Sequence, residues 1–157
     1  IATVSLRDVQ ETDIRVFFDF MQSPSQQWQA AFIPEEPGNY PKHVEHWQKI
    51  MANPEVLNKT ILVERKVAGH VGRWMLDGVG QITFWVGQDY EGKQAATEAL
   101  AQFLKADSLR PLEARCAFDN LASAKVLAKN GFVQVGTDVY YANARNEEIT
   151  ELVFQLP

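Results

Sequence analysis

Residues Gln81 to Ala106 constrain this chain more than any other stretch, because they read as one strand–loop–helix unit. In Gln81-Ile82-Thr83-Phe84-Trp85-Val86, Ile82, Phe84 and Val86 share one face while Thr83 and Trp85 share the other, the alternation of a strand. The polar loop Gly87-Gln88-Asp89-Tyr90-Glu91-Gly92-Lys93 follows, and then Gln94 to Leu104, dense in strong helix formers. The first amides of a helix have no partner inside it and sit at the positive end of its dipole, so such a start suits phosphate oxygens. Small residues there (Gly92, Ala95, Ala96) leave room for a ligand to approach the backbone.

Two phosphate-binding designs compete for this unit. The spacing of Gly87 from Gly92-Lys93 comes close to the P-loop pattern G-x-x-x-x-G-K-[ST]. It fails at Gln94, where a hydroxyl is needed to hold Mg²⁺. The second design is carried by Glu91-Gly92-Lys93-Gln94-Ala95-Ala96, set between Trp85-Val86 and Thr97-Glu98-Ala99-Leu100. A further segment, Asn120-Leu121-Ala122-Ser123-Ala124-Lys125-Val126-Leu127-Ala128-Lys129-Asn130-Gly131-Phe132, follows the strand candidate Pro111 to Phe118. Together these segments resemble the two cofactor-binding stretches of the GNAT acetyltransferases, in particular the ribosomal-protein-alanine (Rim-type) N-acetyltransferase branch. The first matches the pattern Gln/Arg-x-x-Gly-x-Gly/Ala imperfectly, with Glu91 and Gln94 as departures. The second matches N-x-x-S-x-x-V-L-x-K-x-G-F at nearly every position.

The resemblance implies a co-substrate, acetyl-CoA, and a set of roles. Main-chain amides of Gly92, Lys93, Gln94, Ala95, Ala96 and Thr97 would hold the pyrophosphate. The Val86 amide would donate to the thioester carbonyl, and Asn120 would cap its helix and touch the pantetheine arm. Ser123 is the proposed partner of the leaving thiol, because Leu127 stands where many family members place a tyrosine. Phe32 and Trp85 are the expected acceptor-side contacts, with Trp28, Tyr140 and Tyr141 as further aromatic candidates. Glu91 is expected to point to solvent. A carboxylate ~4 Å from a phosphate charge would cost about 1 kcal/mol in water and more near a protein surface, so a looser grip on CoA is expected. The Gln81–Val86 strand has no carboxylate, which leaves the general base unassigned.

Bulk properties fit one globular domain. At 157 residues the chain is expected to form a single domain over residues 1–157, and 46% hydrophobic residues exclude a disordered chain. No apolar run reaches membrane-spanning length, so no membrane partner is expected. A net charge of −5 argues against nucleic acid and leaves room for a cationic amine. The start, Ile1 to Arg7, has no signal-like stretch, and Cys116 has no second cysteine to pair with, which points to the cytoplasm. Cys116 alternates with Ala114 and Phe118, so it reads as a buried strand residue. His43 and His46 lie on one helix but no third ligand is evident, so no metal is expected.

The expected order is a strand at Thr3–Arg7, a helix from Glu11 to about Gln22, and a long aromatic loop from Ser23 to Pro41. A helix at Lys42–Met51 comes next, then strands at Thr60–Glu64 and His70–Leu76 with turns at Ala68-Gly69 and Asp77-Gly78. Two last strands, Phe132–Tyr141 and Thr150–Leu156, close an α+β fold: a twisted, mostly antiparallel sheet, splayed at the acetyl-CoA site and flanked by about four helices. The reading is acetyl transfer from acetyl-CoA to a primary amine, on a small molecule or a protein N-terminus, by direct attack in a ternary complex. A homodimer is left open. A non-catalytic acyl-CoA-binding or interaction module of the same fold is the alternative.

Overall fold

A computed structural model describes residues 2–157. The chain runs β1 (Val4–Asp8), α1 (Glu11–Phe20), α2 (Pro24–Ala30), α3 (Tyr40–Ala52), β2 (Leu57–Val63), β3 (Lys66–Leu76) and β4 (Val79–Val86). It continues through a short 3₁₀ turn (Gln88–Tyr90) to α4 (Ala95–Ala106), β5 (Leu112–Ala117), α5 (Leu121–Lys129), β6 (Val133–Ala142) and β7 (Glu147–Leu156). The seven strands form one sheet in the order β1-β2-β3-β4-β5-β7-β6, antiparallel except between β4 and β5. The α+β order expected from the sequence is therefore present.

The long loop expected between Ser23 and Pro41 is where the sequence reading needs correction. Residues Pro24–Ala30 form α2, which brings the described helices to five. Ser23 caps it by accepting from the Gln26 amide (3.4 Å), and proline opens its first turn. That is a recognised helix-start signature, hidden here because no apolar stripe follows it.

The turn expected at Ala68-Gly69 is also displaced. The β2–β3 reversal sits at Glu64-Arg65, both with positive φ (50° and 68°). Two such residues make the primed turn that matches strand twist, but Glu-Arg is not a pair that advertises it. Asp77-Gly78, which does, forms the β3–β4 turn as expected (φ 51° and 80°). Ala68 is instead the extra residue of a bulge, since Ile61 pairs with Gly69 and Leu62 with Val67. Gly69 is required by close approach: a Cβ there would lie 2.1 Å from the Trp85 carbonyl oxygen.

Each sheet face has its own cover. Ile61, Val71, Ile82, Leu112, Ala114, Cys116 and Phe154 point to α4 and α5, where Leu100, Phe103 and Leu127 complete the main core. Each fully buried side chain of this size contributes about 1.5–3 kcal/mol. On the opposite face α1 and α3 pack Ile14, Phe17 and Trp47 over Trp85 and Val67. Farther along that face Ala31 and Phe32, just past α2, pack against Ala117, Ala142 and Ile149. Helix α5 ends as the sequence predicted. Gly131 takes a left-handed conformation (φ 88°), its amide bonds to the Ala128 carbonyl, and the Phe132 amide bonds to the Leu127 carbonyl.

Candidate active site

Strands β4 and β5 part company halfway. Their parallel pairing covers Gly80 with Leu112, Gln81 with Glu113 and Ile82 with Ala114, and stops there. Beyond it, Thr83 to Val86 pair only with β3, and Arg115 to Ala117 only with β7. Backbone direction alternates along a strand. The Gly87 amide donates to the Ala68 carbonyl (2.7 Å), so odd-numbered residues of this stretch face β3. Phe84 and Val86 therefore turn their N–H and C=O groups into the opening. This is the splay expected from the sequence.

Helices α4 and α5 both begin at the open end, because each follows the carboxyl end of one of the two parting strands. Gln94, the residue before α4, is left-handed (φ 58°, ψ 15°), and so is Gly92 (φ 72°). The first helical bond at this end runs from the Glu98 amide to the Gln94 carbonyl (3.0 Å). Among the described residues no acceptor meets the amides of Gly92, Lys93, Gln94, Ala95, Ala96 or Thr97. Gly92 and Lys93 are exposed, and nothing lies within 4 Å of a Cβ built on Gly92. A side chain in the left-handed region costs about 1–2 kcal/mol, partly offset by glycine's greater chain entropy. Gln94→Gly is accordingly expected to stabilise the fold by about 0.5–1 kcal/mol, read as a rise of a few degrees in melting temperature.

On the other rim, Asn120 caps α5 by accepting from the Ser123 amide (3.2 Å). Its Oδ1 also accepts from Gln29 Nε2 of α2 (3.0 Å). Ser123 is partly exposed, and its hydroxyl has no partner among the described residues. Leu127 lies in the core, as a non-donor should. The Thr97 carbonyl accepts from Asn130 Nδ2 (3.2 Å), which ties α4 to the end of α5.

The sequence reading missed what crosses the opening. Gln26 Nε2 donates to the Val86 carbonyl (2.7 Å) and to Glu91 Oε1 (2.7 Å), while Ser23 Oγ donates to Gln88 Oε1 (2.9 Å). Glu91 is exposed, as expected, but it is also engaged by α2. Arg145, from the β6–β7 turn, holds the far end of α2. Its Nε donates to the Trp28 carbonyl (3.0 Å), its guanidinium lies 4.9 Å from the Trp28 ring centroid, and both Nη atoms reach Asp119 (2.8 Å each). In the sequence this segment reads as loop, so neither α2 nor its contacts across the opening were anticipated.

The face away from α4 carries Trp85, Phe32 and the charged cluster around Arg115. Trp85 stands edge-on to Phe17 (5.2 Å between centroids), and Phe32 packs beside Ala117 and Ile149. These two aromatics lie on opposite sides of the opening, one in each cluster. Tyr140 and Tyr141 are more than half exposed. On the same strands as the Phe32 cluster, Arg115 meets Glu113 (2.9 Å), Asp138 (2.8 Å) and Glu151 (3.2 Å). Burial, together with the charges of Asp138 and Glu113, raises the Glu151 carboxyl above the ordinary range despite Arg115. Burial likewise pushes the Cys116 thiol up to about 11, which suits a packed strand residue rather than a nucleophile. His70 is buried and drops to about 3, with its Nε2 2.9 Å from Asn58 Oδ1. His43 Nε2 hydrogen-bonds the Ile14 carbonyl (2.9 Å).

Residues 3–133 match the family model described as "Acetyltransferase (GNAT) domain". The chain belongs to the GNAT acetyltransferase family. Its fold is the GNAT fold, and the family makes it an acyltransferase. Solved structures agree in shape at low identity. The RimL ribosomal L7/L12 alpha-N-protein acetyltransferase in complex with coenzyme A is 16% identical, with 96% of this chain and 93% of that one covered at a TM-score of 0.81. The microcin C7 self-immunity acetyltransferase MccE, in complex with acetyl-CoA and AMP, is 18% identical, with 98% and 91% covered at 0.81. Spermidine N-acetyltransferase from Vibrio cholerae, in complex with CoA and spermine, is 15% identical, with 97% and 95% covered at 0.79. No curated protein sequence matches this GNAT chain. Among the described residues no helix is long and apolar enough to cross a membrane.

Proposed function

We propose that this chain is a single-domain, cytoplasmic N-acetyltransferase that moves an acetyl group from acetyl-CoA to a primary amine by direct attack in a ternary complex. The observation that carries the reading is the parting of β4 from β5 after Ile82 and Ala114, with six unpaired amides, Gly92 to Thr97, at the same end. These groups fit the co-substrate. The amides suit a diphosphate, and the β4 edge at Phe84 and Val86, which has no strand partner, suits an amide-bearing arm that pairs as an added strand.

Bound acetyl-CoA supplies the activated acetyl group. The Val86 N–H, directed into the opening, donates to the carbonyl oxygen as negative charge builds on it. The neutral amine forms the new C–N bond, the C–S bond breaks with its electron pair left on sulfur, and the proton lost from nitrogen passes to water. Ser123 offers its free hydroxyl to the departing sulfur. An amine protonated in water is drawn to the face that carries Glu113, Asp138 and Glu151. Phe32 and Trp85 wall the two sides of its approach.

Similarity to Rim-type and spermidine acetyltransferases supports either a protein N-terminus or a polyamine-like small molecule as acceptor. Thiol release from acetyl-CoA against a panel of amines and N-terminal peptides tests the reading. Turnover with at least one acceptor is expected, whereas binding without release would mark a non-catalytic acyl-CoA module. Ser123→Ala is expected to slow turnover about 10²-fold, the low end of what a positioned proton donor contributes. Full activity in that variant would take Ser123 out of the mechanism.

A further inference from the structure

Gln26 and Gln29 are one turn apart on α2 and therefore share a face. That face looks into the opening between β4 and β5. Gln26 Nε2 donates to the Val86 carbonyl (2.7 Å) and Gln29 Nε2 to Asn120 Oδ1 (3.0 Å), one acceptor on each rim. The Val86 carbonyl belongs to the unpaired edge of β4. Asn120 is nine-tenths buried and heads α5 on the β5 side. Two carboxamides thus bridge the opening from rim to rim. A carboxamide N–H is the same kind of donor as the N–H of a secondary amide, so an amide-bearing arm laid along β4 seeks the acceptors these side chains hold.

We propose that Gln26 and Gln29 are built-in competitors for the acetyl-CoA arm, and that cofactor binding exchanges their hydrogen bonds for those of the pantetheine amides and loosens α2. The inference rests on the function proposed above. It also gives Glu91, a departure from the family pattern, a specific task. Glu91 Oε1 takes the second proton of the Gln26 carboxamide (2.7 Å), which fastens α2 to the loop that precedes α4. The release reaches the acceptor side by continuity of the chain. Helix α2 runs directly into the fully buried Ala31 (φ 64°) and into Phe32, which cover Ala117, Ala142 and Ile149 on the opposite face. The Ala31 carbonyl accepts from the Ala144 amide (3.2 Å), and Asn143 Nδ2 donates to the Ile33 carbonyl (2.7 Å), so this end is hinged on the β6–β7 turn. An arm that displaces the two glutamines would thereby loosen the wall against which the amine is placed.

Calorimetric titration with acetyl-CoA, paired with hydrogen exchange on the unmodified protein, tests the idea. The Gln26→Ala/Gln29→Ala variant is expected to bind about tenfold more tightly, since two ordinary competing hydrogen bonds are gone. Acetyl-CoA added to the wild type is expected to speed exchange of amides 26–33 while slowing that of amides 92–97. If alanine at these sites prevents folding, Gln26→Met/Gln29→Met keeps the side-chain bulk without the donors and is expected to show the same gain. Unchanged or weaker binding by a folded variant overturns the proposal, as does slower exchange in α2 when acetyl-CoA is added. A wild type that binds no acetyl-CoA overturns the proposed function itself, and this inference with it. The two failures are therefore distinguishable.

Discussion

Val86→Pro is expected to lower the rate of acetyl transfer by about 10²–10³-fold, the cost of removing one oxyanion donor. The substitution deletes a single N–H that points away from β3 into the opening, so it breaks no rung of the β3–β4 ladder. Proline favours an extended residue before it, and Trp85 already lies in a strand. Val86→Ala keeps the amide and is expected to stay within a few-fold of the wild-type rate. Steady-state kinetics on both variants, with acetyl-CoA affinity measured in parallel, separates loss of the donor from loss of binding. A proline variant that turns over normally would place the donor elsewhere.

The largest effect on stability is expected at Asp13. This carboxylate is nearly inaccessible and joins three elements. Arg7 of β1 grips it with both Nη atoms (2.6 and 3.0 Å), Thr60 of β2 donates from its hydroxyl (2.7 Å), and the Gln10 amide donates at the start of α1 (2.9 Å). Asp13→Ala would leave the fully buried Thr60 hydroxyl and the Gln10 amide without acceptors. At roughly 1–3 kcal/mol for the orphaned buried Thr60 hydroxyl, with the lost charge-assisted bonds from Arg7 added, a total of about 3 kcal/mol is expected. For a domain of this size that lowers the melting temperature by roughly 6–12 °C.

The same residue sets a pH dependence. Burial alone would raise the Asp13 carboxyl, but the Arg7 guanidinium, the Gln10 amide and the Thr60 hydroxyl outweigh it and hold the carboxyl below its usual value. The folded state therefore binds its proton less readily than the unfolded state. Its contribution is complete above the unfolded value near ~3.9 and is lost as pH falls through the lower folded value. The stability gap between wild type and Asp13→Ala, measured by denaturant melts, is expected to be constant at neutral pH and to shrink below about pH 4.

Several elements were legible because their signals are local. Alternation marked the strand that ends at Val86, Asp77-Gly78 specified a primed turn, and Asn120 and Gly131 marked the two ends of α5. The free amides from Gly92 to Thr97 follow from helix geometry once the helix start is located. Other features carry no local signal. Glu64-Arg65 turns without turn residues because the paired strands on either side impose it, and Ala68-Gly69 looks like a turn but is a bulge within a ladder. The candidate site divides the same way. Main-chain groups were predictable, whereas Gln26, Gln29 and Arg145 join it only through partners 26 to 117 residues away in the chain.

By itself the sequence determined the family, the order of elements and the helix start that presents bare amides, since each depends on residues that are neighbours in the chain. Only the tertiary structure decided how far β4 and β5 stay paired, which sheet face each aromatic joins, and that α2 lies across the opening. Those outcomes depend on contacts between segments far apart in sequence, where burial and hydrogen-bond satisfaction over the whole fold override local preference.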